Sequence, residues 1–173
     1  MDDGLQNNPH ISRKALAAHH AAAYAWALSL TGYDAAEAAD VMQQSYLVIV
    51  EGRARYAQRS TLKTWLFGVV RNTALRLHRR NRQHVALVSR FSAERAQSTA
   101  QNGESFAEGE DRAVVAALTS LPRRQRDVLE LVIYSDFTLE ECAQVLGISL
   151  GSARTHYHRA KANIRAKLER ADG

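Results

Sequence analysis

The chain has 173 residues, of which 46% are apolar and 24% charged, a balance typical of a folded protein and unlike that of a disordered one. Lysine and arginine number 23 against 18 aspartate and glutamate residues, so the formal charge is +5 and a polyanionic partner is favoured. The single cysteine, Cys142, excludes an intrachain disulfide and suits a reducing compartment. No apolar run approaches the ~20 residues of a membrane span and no signal-peptide pattern opens the chain, which predicts a cytoplasmic protein without membrane insertion.

The first part of the chain predicts two helices after a loose start. Residues 1–12 show no periodicity and predict a flexible N-terminal arm. Apolar residues on one stripe predict a helix over 13–30, and the pair Asp34 and Glu37 has the capping-box spacing that opens a second helix to about Glu51. The outward face of this second helix suits either docking of a partner helix or simple exposure to solvent. It carries Asp40, Gln43, Gln44 and Leu47.

A third helix is predicted from about Ser60, in a stretch between Glu51 and Glu94 that contains no carboxylate. Its outer face places the aromatic Phe67 between Lys63 and Arg71, one turn away on either side. Cations that follow a phosphate backbone, interleaved with a ring on which bases stack, are typical of a single-strand binding surface. The alternative is a surface aromatic covered by arginine stems.

Periodicity is lost over residues 83–110, which predicts a flexible linker between a first domain of residues 13–82 and a second of residues 111–173. In the second domain, Pro122 suits the first turn of a helix whose inward residues are expected to include Val128, Val132 and Ile133.

The most informative stretch runs from Thr138 to Lys161 and predicts a helix-turn-helix. Thr138 and Glu141 form a capping box, Gly147 ends the first helix, and Ser149 caps the second. The polar face of the second helix has the short donors and cations that a major-groove reader needs, although a solvated helix face has similar composition. This face carries Ser152, Arg154, Thr155, His156, His158 and Arg159.

Four segments, in order, resemble the extracytoplasmic-function (ECF) group of bacterial RNA polymerase sigma factors, within the sigma-70 family. They are residues 40–47 (DVMQQSYL), 64–75 (TWLFGVVRNTAL), 121–129 (LPRRQRDVL) and 146–160 (LGISLGSARTHYHRA). The resemblance implies an all-α fold with two small helical domains joined by a flexible linker, the second domain containing the helix-turn-helix. It also implies a division of labour between the domains.

By that resemblance, the second helix docks on the clamp coiled coil of core RNA polymerase, through Asp40, Gln43, Gln44 and Leu47. The third helix takes the minus-10 promoter element as the duplex opens, through Lys63, Phe67, Arg71, Asn72, Arg76, Arg79 and Arg80. The second domain reads the minus-35 element, through Arg123, Arg124, Ser152, Arg154, Thr155, His156, His158 and Arg159. An anti-sigma protein is a further expected partner. The family often has glutamate where this chain has Gln44, and arginine or lysine where it has His156.

Two other interpretations fit parts of the sequence. A sigma-mimicking regulator would bind an anti-sigma protein and no DNA. It would therefore have no need of the basic stretch between Glu51 and Glu94, which contains no carboxylate. A helix-turn-helix repressor would dimerise on a palindromic operator and would leave the first domain without a role. An enzyme is disfavoured, because the sequence has no metal-ligand spacing, phosphate loop or nucleophile motif. No cofactor, metal or catalytic residue is therefore expected.

Overall fold

The computed structural model describes residues 4–91, 117, 118 and 120–171 and confirms the all-α class. A small hairpin precedes the helices in chain order. The elements are β1 (Gly4–Leu5), β2 (Asn8–Ser12), α1 (Arg13–Ala18), α2 (His20–Leu30), α3 (Ala35–Val50), α4 (Leu62–Phe91), α5 (Arg123–Ser135), α6 (Leu139–Leu146) and α7 (Leu150–Ala171).

Helices α2, α3 and α4 pack together around a core that includes Trp26, Ile49 and Leu66. The predicted capping residue Asp34 opens α3, and its carboxylate accepts a hydrogen bond of 2.9 Å from the Glu37 amide. The single helix predicted over 13–30 is instead two helices. They are separated at His19, whose backbone (φ −103°, ψ 1°) departs from helical geometry.

The predicted flexible arm over residues 1–12 is wrong for residues 4–12, which form the antiparallel pair β1 and β2. The physical reason is a buried amide. Asn8 is 3% exposed, and its side-chain amide donates to the carbonyls of Ile49 (2.7 Å) and Ala54 (3.0 Å), while its side-chain oxygen accepts from the Tyr56 amide (3.0 Å). Ile11 is fully buried beside it in the core. The hairpin therefore belongs to the first domain.

The predicted start of the linker at residue 83 is also wrong, because α4 continues to Phe91. Residues 83–91 contain no glycine or proline, so nothing in the sequence ends the helix there. The rest of the predicted linker, residues 92–110, lies outside the described residues.

The second domain contains the predicted helix-turn-helix. Both reciprocal hydrogen bonds of the capping box are present at the start of α6. Gly147 ends α6 with a left-handed backbone at φ 61°. Ser149 caps α7 by accepting a hydrogen bond from the Ser152 amide (3.1 Å). In the part of the chain that the structure describes, no helix combines the length and apolar character that crossing a bilayer requires.

The burial of α5 differs from the prediction. Ile133 was expected to point inward but is 55% exposed, whereas Asp127 and Glu130 are buried, at 3% and 4% exposed. The reason is that α5 packs against α2 of the first domain as well as against α7, so its buried face is set by two neighbours. An apolar cluster continues from the first domain into the second through Phe67, Phe137 and other residues.

We predict that Asn8→Ala lowers the free energy of unfolding by roughly 2 to 4 kcal/mol, because it leaves buried backbone groups without partners. Urea denaturation of the full chain measures this change. The matched control is Asn7→Ala, which removes one exposed hydrogen bond to the Val50 carbonyl (2.9 Å) and should cost less than about 1 kcal/mol. Equal effects of the two substitutions would show that the hairpin is not anchored by Asn8.

Candidate nucleic-acid and polymerase interfaces

The outward face of α3 is available for docking. Asp40, Gln43 and Leu47 are exposed and Gln44 is half-buried, while the opposite side of the helix faces the core. Leu47 is 42% exposed and the neighbouring Val50 is 51% exposed. An exposed aliphatic pair beside acid and amide groups has the mixed character of a protein interface.

The C-terminal half of the α4 surface is also open. Asn72, Arg76, Arg79 and Arg80 are exposed and lie along one groove of the helix. Their exposure leaves them accessible, and their assignment to a backbone-tracking basic surface stays a prediction.

The N-terminal half of the same surface is covered by the second domain, so the prediction that Phe67 lies on an exposed face is wrong for this structure. Phe67 is fully buried, with its ring edge-on to Phe137 at 4.8 Å between centroids and stacked with Trp26 at 6.3 Å. Lys63 is half-buried, lies 4.7 Å above the Phe137 ring, and donates a hydrogen bond to the Ser135 carbonyl. Sequence periodicity describes one helix and gives no information about a second domain that packs on it.

Arg71 lies where the two predicted DNA-binding surfaces meet. Burial lowers the pKa of its guanidinium, Arg124 and Arg123 act in the same direction, and Asp127 opposes them. Burial raises the pKa of the Asp127 carboxyl, and the surrounding arginines oppose that rise. Asp127, which the sequence analysis did not single out, is therefore a buried carboxyl group in the electrostatic field of arginines from both domains.

The polar face of α7, the second helix of the helix-turn-helix, is accessible. Arg154, Thr155, His158 and Arg159 are exposed, whereas Ser152 and His156 are half-buried. The guanidinium of Arg154 lies 3.7 Å from the Glu140 carboxylate, with both side chains 58% exposed. An exposed pair of this kind contributes about 0 to 1 kcal/mol, so it leaves Arg154 free to take another partner. Arg123 and Arg124 are exposed at the start of α5.

The structure adds a cavity that the sequence analysis did not identify. It has a volume of about 410 Å³ and lies between α4 and the loop that follows α3. The lining includes the half-buried Trp65 ring, the exposed Arg53 and Arg55, and Thr73, whose buried hydroxyl has no hydrogen-bond partner among the described residues. The only sequence feature that pointed to this cavity was the carboxylate-free stretch between Glu51 and Glu94. The apolar periodicity of α4 assigned Trp65 and Thr73 to the core.

Comparison with known proteins decides the family. The family profiles Sigma-70 region 2 and Sigma-70, region 4 match residues 16–84 and 111–164. The ECF RNA polymerase sigma factor EcfG of Rhodopseudomonas palustris is 32% identical over 144 residues, which cover 83% of this chain and 77% of that protein. The chain belongs to the ECF sigma factors of the sigma-70 family. It directs core RNA polymerase to promoters, which is the function of that family.

A second sigma factor and two solved structures are similar to this chain at lower identity. The RNA polymerase sigma factor YlaC of Bacillus subtilis is 23% identical over 136 residues, covering 78% of this chain and 79% of YlaC. Among solved structures, the sigma factor RpoE of Bartonella quintana, in complex with the anti-sigma factor NepR, has a TM-score of 0.68 and 23% identity. The match covers 91% of this chain and 96% of that one. CnrH, in complex with the cytosolic domain of CnrY, gives 0.62 and 23%, with coverages of 92% and 88%. These structures share the fold.

A buried carboxyl group links the two domains of this sigma factor. Glu130 on α5 accepts hydrogen bonds from the Ser29 hydroxyl on α2 and from the Tyr33 hydroxyl (3.1 Å). Burial raises the pKa of Glu130 from 4.5 to about 7, against the opposing effects of Arg126 and of the Tyr33 hydrogen bond. Burial and the neighbouring Glu130 in turn raise the pKa of Tyr33.

The raised pKa of Glu130 predicts that stability falls as pH rises from about 5 to about 8. The packed form binds the proton more tightly than the unfolded chain, so its advantage is greatest below pH 4.5 and is lost as pH rises through about 7. The full difference corresponds to about 3 kcal/mol. Glu130→Gln, which stays neutral, should lose this part of the pH dependence. Urea denaturation at several pH values measures it, and an identical pH profile in both proteins would contradict the assignment.

Proposed function

We propose that three separate surfaces carry out promoter recognition by this sigma factor. The α3 face of Asp40, Gln43, Gln44 and Leu47 docks on the clamp coiled coil of core RNA polymerase. Helix α4 receives the minus-10 element, and α7 reads the minus-35 element. The observation that carries the proposal is that the polar face of α7 stands exposed on a capped helix-turn-helix within the segment that matches Sigma-70, region 4.

For the minus-10 element, the proposal assigns DNA contacts to Lys63, Phe67, Arg71, Asn72, Arg76, Arg79 and Arg80. Extrusion of a base from a duplex costs a few kcal/mol, and stacking on protein surfaces returns about 1 to 3 kcal/mol per base. The cavity beside α4 suits an unstacked base, because the Trp65 ring offers a stacking face and the Thr73 hydroxyl has no hydrogen-bond partner in the described part of the chain. Arginines at its rim suit the adjoining phosphates.

For the minus-35 element, α7 enters the major groove. Arg154 has the forked guanidinium that pairs with guanine in bidentate fashion, while short side chains near the helix start approach base edges. Arg123 and Arg124 at the start of α5 contact the phosphate backbone. The residues nearest the DNA are Ser152, Arg154, Thr155, His156, His158 and Arg159.

The proposal includes an inhibitory protein partner and assigns no catalytic reaction to the chain. The structurally similar RpoE of Bartonella quintana was solved in complex with an anti-sigma factor. We expect an anti-sigma protein to hold this chain in the same manner. The sigma factor acts in the cytoplasm, where polymerase and DNA meet, and it has no catalytic activity of its own.

Run-off transcription with core RNA polymerase on a library of promoters from the source organism tests the proposal. We expect transcripts restricted to promoters that share two sequence elements. Leu47→Asp should abolish them by weakening polymerase binding, since it places a charge on the exposed docking face. The control Ala21→Asp puts the same charge on an exposed position of α2 and should leave transcription unchanged. Transcripts that do not depend on promoter sequence would contradict the proposal.

We predict that Arg154→Ala weakens promoter binding by about 1 to 3 kcal/mol at promoters with a guanine at the contacted position, and much less at others. The reason is the loss of a bidentate base contact. Binding of polymerase holoenzyme to promoters that vary in the minus-35 element measures the effect. Arg165→Ala, farther along α7, is the control and should act equally on all sequences. A uniform loss for Arg154→Ala would make it a phosphate contact.

A further inference from the structure

The N-terminal hairpin is tied to the α3–α4 loop, residues 51–61. The side-chain amide of Asn8 on β2 donates to the Ala54 carbonyl (3.0 Å), and its side-chain oxygen accepts from the Tyr56 amide (3.0 Å), both in that loop. The same amide nitrogen donates to the Ile49 carbonyl (2.7 Å), near the end of α3. One buried side chain therefore joins the hairpin, the end of α3 and the loop.

The hairpin and the loop also touch at a second point. Gly52 opens the loop with a left-handed backbone (φ 72°), and a Cβ at that position would lie 2.7 Å from the Cβ of Asn7. Carbon atoms in favourable contact are about 3.5 to 4.0 Å apart, so any larger residue would displace the hairpin. Glycine is thus required here both by the backbone conformation and by the close approach of the hairpin.

The far end of the loop extends this restraint to the wall of the cavity beside α4. The Tyr56 hydroxyl donates a hydrogen bond to the Ser60 carbonyl (2.7 Å). The Tyr56 ring packs against the Trp65 ring, with 5.3 Å between centroids and 49° between the ring planes. Trp65 and Ser60 line the cavity, together with Arg53 and Arg55 of the same loop. The wall that would face an unstacked base is therefore built on a loop that the hairpin holds.

The loop has no secondary structure of its own to order it. Residues 51–61 lie between α3 and α4 and contain neither helix nor strand. Ordering such a loop when a base binds would cost conformational entropy, and that cost would be subtracted from the free energy of stacking. The contacts of Asn8 and Tyr56 order the loop before the base arrives, so the stacking free energy remains available for capture.

We propose that Asn8 is a positioning residue for base capture. Through it, the N-terminal hairpin holds the α3–α4 loop so that Trp65 meets the unstacked minus-10 base and the loop arginines meet its phosphates. Asn8 is 3% exposed, so it acts through Tyr56 and the loop and not by touching DNA. The inference rests on the proposed function, in which the cavity beside α4 belongs to the minus-10 site.

A scan of the minus-10 element with abasic sites tests this role. Polymerase holoenzyme that contains the full-length sigma factor is bound to forked promoter DNA, in which each base of the single-stranded non-template minus-10 segment is removed in turn. With the wild type, one abasic position should lower affinity about 5- to 150-fold, the effect of losing one stacked base. With Asn8→Ala, the loss at that position should fall below about threefold, while the losses at other positions stay unchanged.

The position dependence separates positioning from general destabilisation. A protein that is merely less stable would lose affinity for every DNA by the same factor, which leaves the ratios between abasic positions unchanged. The matched control is Asn7→Ala, which removes one exposed hydrogen bond of the neighbouring hairpin residue and should keep the wild-type pattern.

Tyr56→Phe provides a second variant that does not disturb the buried amide. It keeps the ring on Trp65 and removes the hydrogen bond to the Ser60 carbonyl, so we expect it to fold as the wild type does. It should reduce the loss at the sensitive position about twofold or more.

Two results would contradict the inference in different ways. An unchanged loss at the sensitive position in both Asn8→Ala and Tyr56→Phe would overturn the positioning role, and the proposed function would stand, because the cavity would still capture a base. If no abasic position stood out in the wild type, the cavity would not receive a base. That result would overturn its assignment to the minus-10 site and the positioning role with it.

Discussion

The contact between Phe67 of α4 and Phe137 of the second domain is the interaction on which the rest of the arrangement depends. It lies within the apolar cluster that continues from one domain into the other. Aromatic pairs in this geometry contribute about 0.5 to 1.5 kcal/mol beyond the area that they bury. Around it, Lys63, Thr64, Ser135 and Glu141 are held in polar contacts across the boundary. This contact region between the two domains therefore determines which parts of the proposed DNA-binding surfaces are exposed and which are buried.

The helices could be predicted from the sequence because their signals are local. Capping at Asp34 and at Thr138 with Glu141 involves residues three positions apart, and the structure confirms both. The N-terminal hairpin could not be predicted, because Asn8 is bonded to backbone groups more than 40 positions away. The burial of Phe67 and the exposure of Ile133 were also mispredicted. Both depend on how one domain packs against the other, and the periodicity of a single helix carries no information about that packing.

The candidate site was predicted unevenly for the same reason. Residues on the outer faces of α3 and α7 are exposed or half-buried, as their spacing predicted, because the buried residues lie on the opposite side of each helix. Asp127 and Glu130 gave no signal, because charged residues on a helix are expected to face solvent. Their burial becomes evident only in the structure, where α5 packs against both α2 and α7. The same packing places Arg71 of the first domain within the electrostatic field of Arg123 and Arg124 of the second.

The distance between the two domains in solution tests the central claim most directly. Ala21→Cys on α2 and Ile133→Cys on α5 provide exposed positions for a donor and an acceptor dye. The native Cys142 is buried, which raises the pKa of its thiol to about 12 and keeps it from competing for the label. We predict efficient energy transfer in the free sigma factor and a large decrease in the polymerase–promoter complex. Equally low transfer in the free protein would contradict the account.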